Sequence, residues 1–152
     1  MIARDQAPRI VANSIYFANG VALDAKEDYV YVAETMQRRV LRYRIKQGNR
    51  LDGPEVYGPP FLGRLGFPDG IAFDEAGNLW ITFPMANAIG FINPGGKLEI
   101  FMDDPQGIVI NRPTNICFGG KERRTAYIGS LGGTNVLFFE VPYPGMRLVH
   151  QK

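Results

Sequence analysis

A segment headed by Asn or Asp recurs three times along this chain, and it restricts the fold more than any other feature. The copies read Asn19-Gly-Val-Ala-Leu-Asp24, Asp69-Gly-Ile-Ala-Phe-Asp74 and Asn115-Ile-Cys-Phe-Gly-Gly120, with heads 50 and then 46 residues apart. After each comes a short polar turn and a second apolar run, at 29–34, 78–83 and 125–130, then a third at 39–45, 88–92 and 135–140. Alternating, β-branched and aromatic runs without a sustained 3.6-residue period read as strands. A period of roughly 40–50 residues filled only with strands and turns predicts propeller blades around an axis. The expected fold is therefore all-β, with residues 1–152 forming one partial β-propeller domain of about three four-stranded blades near 17–60, 67–103 and 112–142. Three blades leave a ring open and two blade faces bare. Either further N-terminal blades or a second copy in a homodimer is expected to close it.

The polar segments between the runs fit that plan. Residues 24–28, 74–78 and 119–124 read as hairpin connections from a blade's first strand to its second. Asn93-Pro-Gly-Gly96 is a further turn, and the Gly- and Pro-rich stretch 47–67 is expected to hold an outer strand near Glu55-Val-Tyr57.

Composition removes several function classes. Among 152 residues, 45% are hydrophobic and 21% charged, which suits a packed core and excludes disordered or collagen-like chains. Seventeen basic against fifteen acidic residues is too even a balance to predict a nucleic-acid partner. Arg38, Arg39, Arg42, Arg44 and the stretch 121–124 are expected on solvated strands and turns. Cys117 is the one cysteine, which excludes an internal disulfide, and His150, near the end, is the one histidine, which nearly rules out a His-rich zinc site or a Ser-His-Asp triad. Cys117, between Ile116 and Phe118, is expected to be a small buried residue. No run approaches the ~20 apolar residues of a membrane span, and Met-Ile-Ala-Arg-Asp-Gln-Ala-Pro-Arg lacks a signal peptide's apolar core. A cytoplasmic location with no membrane partner is the expectation.

At the repeated segments the chain resembles the SMP-30/gluconolactonase family of six-bladed β-propellers, over its C-terminal half. Phe17-Ala-Asn-Gly-Val-Ala-Leu followed by Tyr-Val-Ala-Glu-Thr35 is similar to the family's "NG-x-A-x-S-x-D…YVADT" blade. Phe67-Pro-Asp-Gly-Ile-Ala-Phe-Asp-Glu-Ala-Gly-Asn-Leu-Trp80 resembles its "PDG-x-x-x-D-x-x-G-N-L-W" blade, and Arg112-Pro-Thr-Asn-Ile-Cys-Phe-Gly-Gly120 its "PTN-x-x-FGG" blade. Val141-Pro-Tyr-Pro-Gly and His150 look like the end of bacterial members.

The resemblance implies a hydrolase of sugar or related lactones with one divalent metal ion at the mouth of the central channel. Ca²⁺ is the first expectation, with Zn²⁺, Mg²⁺ or Mn²⁺ as alternatives. The family holds this ion with a Glu, two Asn and an Asp. Asn19 matches the second Asn, and Asp69 matches the Asp, which is also the family's base for the hydrolytic water. Asn115 heads its own segment and is expected to line the channel. The Glu and the other Asn belong to family blades that this chain does not match, so the chain is expected to carry half of a site. Oxygen ligands suit hard cations, and such an ion polarises a carbonyl and favours a hydroxide nucleophile without His or Ser.

Other readings of these residues stay open. Asn-Gly and Asp-Gly are ordinary turn dipeptides, although here they precede an inner strand and do not join a hairpin. Glu34 is expected to be solvated or Arg-paired, Asp24 and Asp74 to shape turns, and Trp80, Phe73, Tyr31, Tyr127 and Phe118 to pack between blades. Strictosidine-synthase-like propellers share a blade similar to Tyr-Val-Ala-Glu-Thr35 and Arg39-Val-Leu-Arg-Tyr43. A non-catalytic or truncated propeller piece is the remaining alternative.

Overall fold

The computed structural model describes residues 7–147; His150 and the first six residues lie outside them. Within the described residues the chain is an arc of three antiparallel sheets, each ordered in space as in sequence. The first holds β1 (Ala18–Leu23), β2 (Tyr29–Glu34), β3 (Arg39–Lys46) and β4 (Arg50–Tyr57). The second holds β5 (Ile71–Phe73), β6 (Leu79–Phe83), β7 (Ala88–Ile92) and β8 (Leu98–Asp103). The third holds β9 (Pro113–Gly119), β10 (Thr125–Ser130) and β11 (Leu137–Glu140), one strand short of the expected four among the described residues. One 3-10 turn, Pro84–Ala86, is the sole helical element described.

Side chains close the turns. Asp24 Oδ1 accepts from the N–H of Asp28 at 2.8 Å and of Tyr29 at 3.2 Å, bending β1 into β2. The equivalent Asp74 is 2% exposed and accepts from Asn78 N at 2.9 Å, Asn78 Nδ2 at 2.8 Å and Trp80 Nε1 at 2.9 Å. It therefore ties a turn to a buried aromatic as well as shaping it. Between β7 and β8, Asn93 Oδ1 accepts from Lys97 N at 3.1 Å while its backbone carbonyl accepts from Gly96 N at 2.8 Å.

The core lies in the two seams between sheets. Tyr31, Ala33 and Val40 of the first blade meet Ile71, Phe73, Ile81 and Phe83 of the second, with the Tyr31 and Phe73 rings 4.8 Å apart, edge to face. Trp80 fills the next seam against Ile116, Phe118 and Phe139. Burying an indole removes about 200 Å² from water, roughly 5 kcal/mol gross. Because the middle blade has a neighbour on each side, every residue of β6 is buried. A run such as Leu79-Trp-Ile-Thr-Phe83 is what a strand covered on both faces requires.

The third blade's outward face corrects two expectations. Cys117, Tyr127 and Phe138 stand opposite one another across β9, β10 and β11. Cys117 is exposed, Tyr127 is 40% exposed and Phe138 65%, because no further sheet packs there among the described residues. The first blade's outward face is partly covered: Val32, Leu41 and Tyr43 pack with Ala12 and Ile15.

The basic stretches are less free than expected. Arg39 pairs at 2.6 Å with Glu34, which is fully buried and also accepts from Tyr16 N, so Glu34 is Arg-paired and not solvated. Arg42 pairs with Glu55 and lies over the Tyr29 and Tyr57 rings, while Arg123 pairs with Glu75.

Candidate functional site

The first strands of the three blades lie side by side because the backbone links them directly. Gly20 N donates to Asp69 O at 2.9 Å, and Gly70 N donates to Thr114 O at 2.9 Å. These bonds explain the glycines. A Cβ on Gly20 would sit 2.3 Å from Asp69 O, and one on Gly70 would sit 2.6 Å from Asn115 Cα. Each Asn-Gly or Asp-Gly therefore marks where the next blade's backbone presses in, and neither is a hairpin turn.

The same register relocates the third head. Val21 faces Val32, Ile71 faces Ile81 and Ile116 faces Ile128 in their respective sheets. Counting back two residues, Asn19 and Asp69 align with Thr114. Asn115 falls at the place of Gly20 and Gly70, where its exposed side chain meets no following blade among the described residues. Asn115 does stand at the same rim, touching the space beside Gly70 with its Oδ1.

Asn19 and Asp69 are brought together: the bond from Gly20 N to Asp69 O sets the two heads side by side, with the Asn19 amide near enough to the Asp69 carboxylate to favour its ionised form. Burial pushes the Asp69 carboxyl above its ordinary value, and the nearby Asn19 amide partly offsets that rise. The peptide around Asp69 is clamped on every side. Thr35 Oγ1 donates to Pro68 O at 2.7 Å, Asp69 N donates to Thr82 O at 3.0 Å, and Thr82 N donates to Gly70 O at 3.0 Å. The fully buried Thr82 hydroxyl also accepts from Gly70 N at 3.0 Å. Thr35 and Thr82 are positioning residues that the sequence reading left without a role. Thr35 directly follows β2 and Thr82 is the penultimate residue of β6, and that placement near the second strands' ends was their available signal.

These groups occupy the rim where the first strands begin. A cleft of about 410 Å³ lies further along the same strands, lined by Val21, Leu23, Ile71, Phe73, Cys117 and Met146, with Arg123 and Arg147 at its edge. It holds none of Asn19, Asp69 or Asn115, so this cleft and the polar rim are separate places on the chain.

The rim pair suits a hard divalent cation in its chemistry. Asn19 and Asp69 offer amide and carboxylate oxygens, and the partly desolvated carboxylate has a single neutral partner in place of a counter-charge. Two donors are fewer than the six to eight that ~2.4 Å calcium coordination takes. No group of three or more His, Cys, Asp or Glu able to hold a metal occurs among the described residues. No described helix is long and apolar enough to cross a membrane.

Comparison with known proteins places this geometry in context. The family model described as SMP-30/Gluconolactonase/LRE-like region matches residues 2–132. The 6-deoxy-6-sulfogluconolactonase of Pseudomonas putida is 27% identical over 122 residues, covering 80% of this chain and 40% of that protein. Protein STRICTOSIDINE SYNTHASE-LIKE 6 of Arabidopsis thaliana is 34% identical over 76 residues, half of this chain and 19% of its own length. The solved structure of regucalcin, a calcium-binding protein of Agrobacterium tumefaciens, superposes with a TM-score of 0.64 at 16% identity, over 85% of this chain and 46% of that one. The chain thus spans less than half the length of these relatives.

Proposed function

This chain belongs to the SMP-30/gluconolactonase/LRE-like family, and from that membership we propose that it supplies half of the active site of a metal-dependent lactonase. Its substrate class is a sugar or related lactone, and the reaction is hydrolytic ring opening. Asn19 and Asp69 would hold a divalent cation, Ca²⁺ first, as two of its oxygen ligands. When bound, that cation would polarise the lactone carbonyl and favour ionisation of the attacking water. The remaining donors would come from further blades or from a second copy.

The carrying observation is the backbone bond from Gly20 N to Asp69 O, which sets Asn19 beside Asp69 across two blades. Asp69 takes the proton of the attacking water in this reading. A carboxylate whose affinity for protons is raised by burial does so better than a solvated one, while a bound cation pulls the other way. Asn19 lies beside the carboxylate, and the Thr35 and Thr82 bonds fix the peptide that carries it. Asn115 remains a channel-lining residue with no assigned chemical step.

The test is hydrolysis of simple sugar lactones followed by pH-stat, with and without chelator, for the wild type and Asp69→Ala. The reading expects divalent-dependent turnover that falls roughly 100-fold or more in the variant. Turnover that survives Asp69→Ala would remove Asp69 from the mechanism. The similarity to a strictosidine-synthase-like protein supports a second reading, amine–aldehyde condensation or other ester chemistry. Condensation activity without lactone opening would select it.

A further inference from the structure

Asn19 stands in a stretch of backbone that departs from a regular strand. Ala18 faces Glu34 and Val21 faces Val32, so Asn19 and Gly20 together stand opposite the single residue Ala33 in a β-bulge. Bulges cluster beside functional sites, where they re-aim a side chain. Just ahead of the bulge, Phe17 takes the left-handed region at φ 63°, a conformation that a bulky residue adopts only when its surroundings impose it. Three bonds at the end of β2 impose it. Glu34 Oε1 accepts from Tyr16 N at 2.9 Å, Thr35 N donates to Phe17 O at 3.1 Å, and Met36 N donates to Tyr16 O at 3.2 Å. The first of the three is made by a side chain, a fully buried carboxylate held from its other oxygen by Arg39 Nε at 2.6 Å.

The second blade shows that packing alone does not ask for a carboxylate at this place. Val32 faces Val21 as Ile81 faces Ile71, so Glu34 corresponds to Phe83. Across the next strand their partners are Arg39 and Ala88. Phe83 fills its place as a buried apolar residue. A buried ion pair is seldom more stabilising than such a residue, so its use in one blade calls for another reason. The two heads also differ. Thr82 steadies the Asp69 head with its hydroxyl, which accepts from Gly70 N at 3.0 Å, whereas the first blade has Ala33 at that position and no hydroxyl to offer. We propose that Glu34 is a positioning residue for Asn19: through Tyr16 N its carboxylate holds the left-handed turn at Phe17 and the bulge that follows, and so sets Asn19 beside Asp69. The inference rests on the metal-site reading above and adds to it a residue that acts through the backbone.

The experiment compares the wild type with Glu34→Gln and with a Glu34→Phe, Arg39→Ala double variant that copies the pair formed by Phe83 and Ala88. Amide hydrogen exchange is read at Gly20 N–H, whose bond to Asp69 O links the two heads, with Gly70 N–H as the reference in the neighbouring blade. Thermal midpoints and Ca²⁺ affinities are measured beside it. Glutamine can still accept from Tyr16 N, so Gly20 exchange and Ca²⁺ affinity should stay within about twofold of the wild type even where the midpoint falls. The apolar pair cannot accept. Gly20 exchange should then rise roughly tenfold or more and Ca²⁺ affinity fall roughly tenfold, with Gly70 exchange and the midpoint little changed. Gly20 exchange that tracks the midpoint across all three proteins, or stays slow in the double variant, would overturn the proposal. Should the double variant not fold, Glu34→Gln decides alone: slow Gly20 exchange with a lowered midpoint upholds it, and exchange raised in step with lost stability overturns it. A wild type that binds no Ca²⁺ would sink the metal-site reading, while Gly20 exchange would still decide the part played by Glu34.

Discussion

Asn19 and Asp69 are 50 residues apart in sequence and stand side by side across the seam between two blades, the Asn19 amide favouring the ionised Asp69 carboxylate. Neither residue is placed by its own strand alone. The Gly20 N–H on Asp69 O draws the two first strands together, and the absence of a Cβ on Gly20 lets them meet. A local dipeptide thus becomes half of a rim site through packing of one blade on the next.

The raised proton affinity of Asp69 has a signed consequence for stability. Its carboxyl binds a proton more tightly folded than unfolded, so its contribution to folding is full below the ordinary carboxylate value. That contribution is lost as pH rises through the raised folded value. Asp69→Asn should therefore melt a few degrees higher than the wild type at neutral pH, and the two should converge in acid. Thermal denaturation from pH 3 to pH 7 checks this; a variant less stable at neutral pH would show that the carboxylate is structurally required.

Gly20→Ala and Gly70→Ala should each cost about 3 kcal/mol or more, since the added Cβ would strike backbone atoms and not a yielding side chain. Gly129→Ala is the control: its Cβ would meet nothing closer than 3.8 Å, so a change within about 0.5 kcal/mol is expected. Urea titration of the three variants decides the matter, and a tolerant Gly70→Ala would refute the close approach of the second and third blades.

Asp74→Ala should cost roughly 3–5 kcal/mol, because it leaves the Asn78 amide, its backbone N–H and the Trp80 indole N–H without a partner in a buried place. The one tryptophan reports directly. Its fluorescence should shift to the red in the variant as the seam loosens, and an unchanged spectrum with full stability would contradict the account.

The bare row of Cys117, Tyr127 and Phe138 should make the isolated chain associate. Light scattering is expected to give a mass above that of one chain, falling toward it in a Tyr127→Lys, Phe138→Lys double variant. A wild-type monomer at high concentration would show that the open arc is self-sufficient.

Strand order was legible from the repeat, because a second strand such as Leu79-Trp-Ile-Thr-Phe83 needs cover on both faces and announces it. The exposure of Cys117 and Tyr127 was not, since their neighbours read as core and only the presence or absence of a following sheet decides their surroundings. Asn19 and Asp69 stood out as candidates through the motif. Asn115 was set one position off, because an Asn after Pro-Thr looks like a head until strand register aligns it with Gly20 and Gly70. The parts played by Thr35 and Thr82 depend on hydrogen bonds between and within blades that no spacing encodes.

The central claim, that Asn19 and Asp69 together hold a divalent cation, is tested most directly by calorimetric titration of Ca²⁺ into the wild type and Asp69→Asn side by side. The account predicts saturable binding by the wild type that disappears in the variant although its fold is intact. Undiminished binding by Asp69→Asn, or none by the wild type, would contradict it.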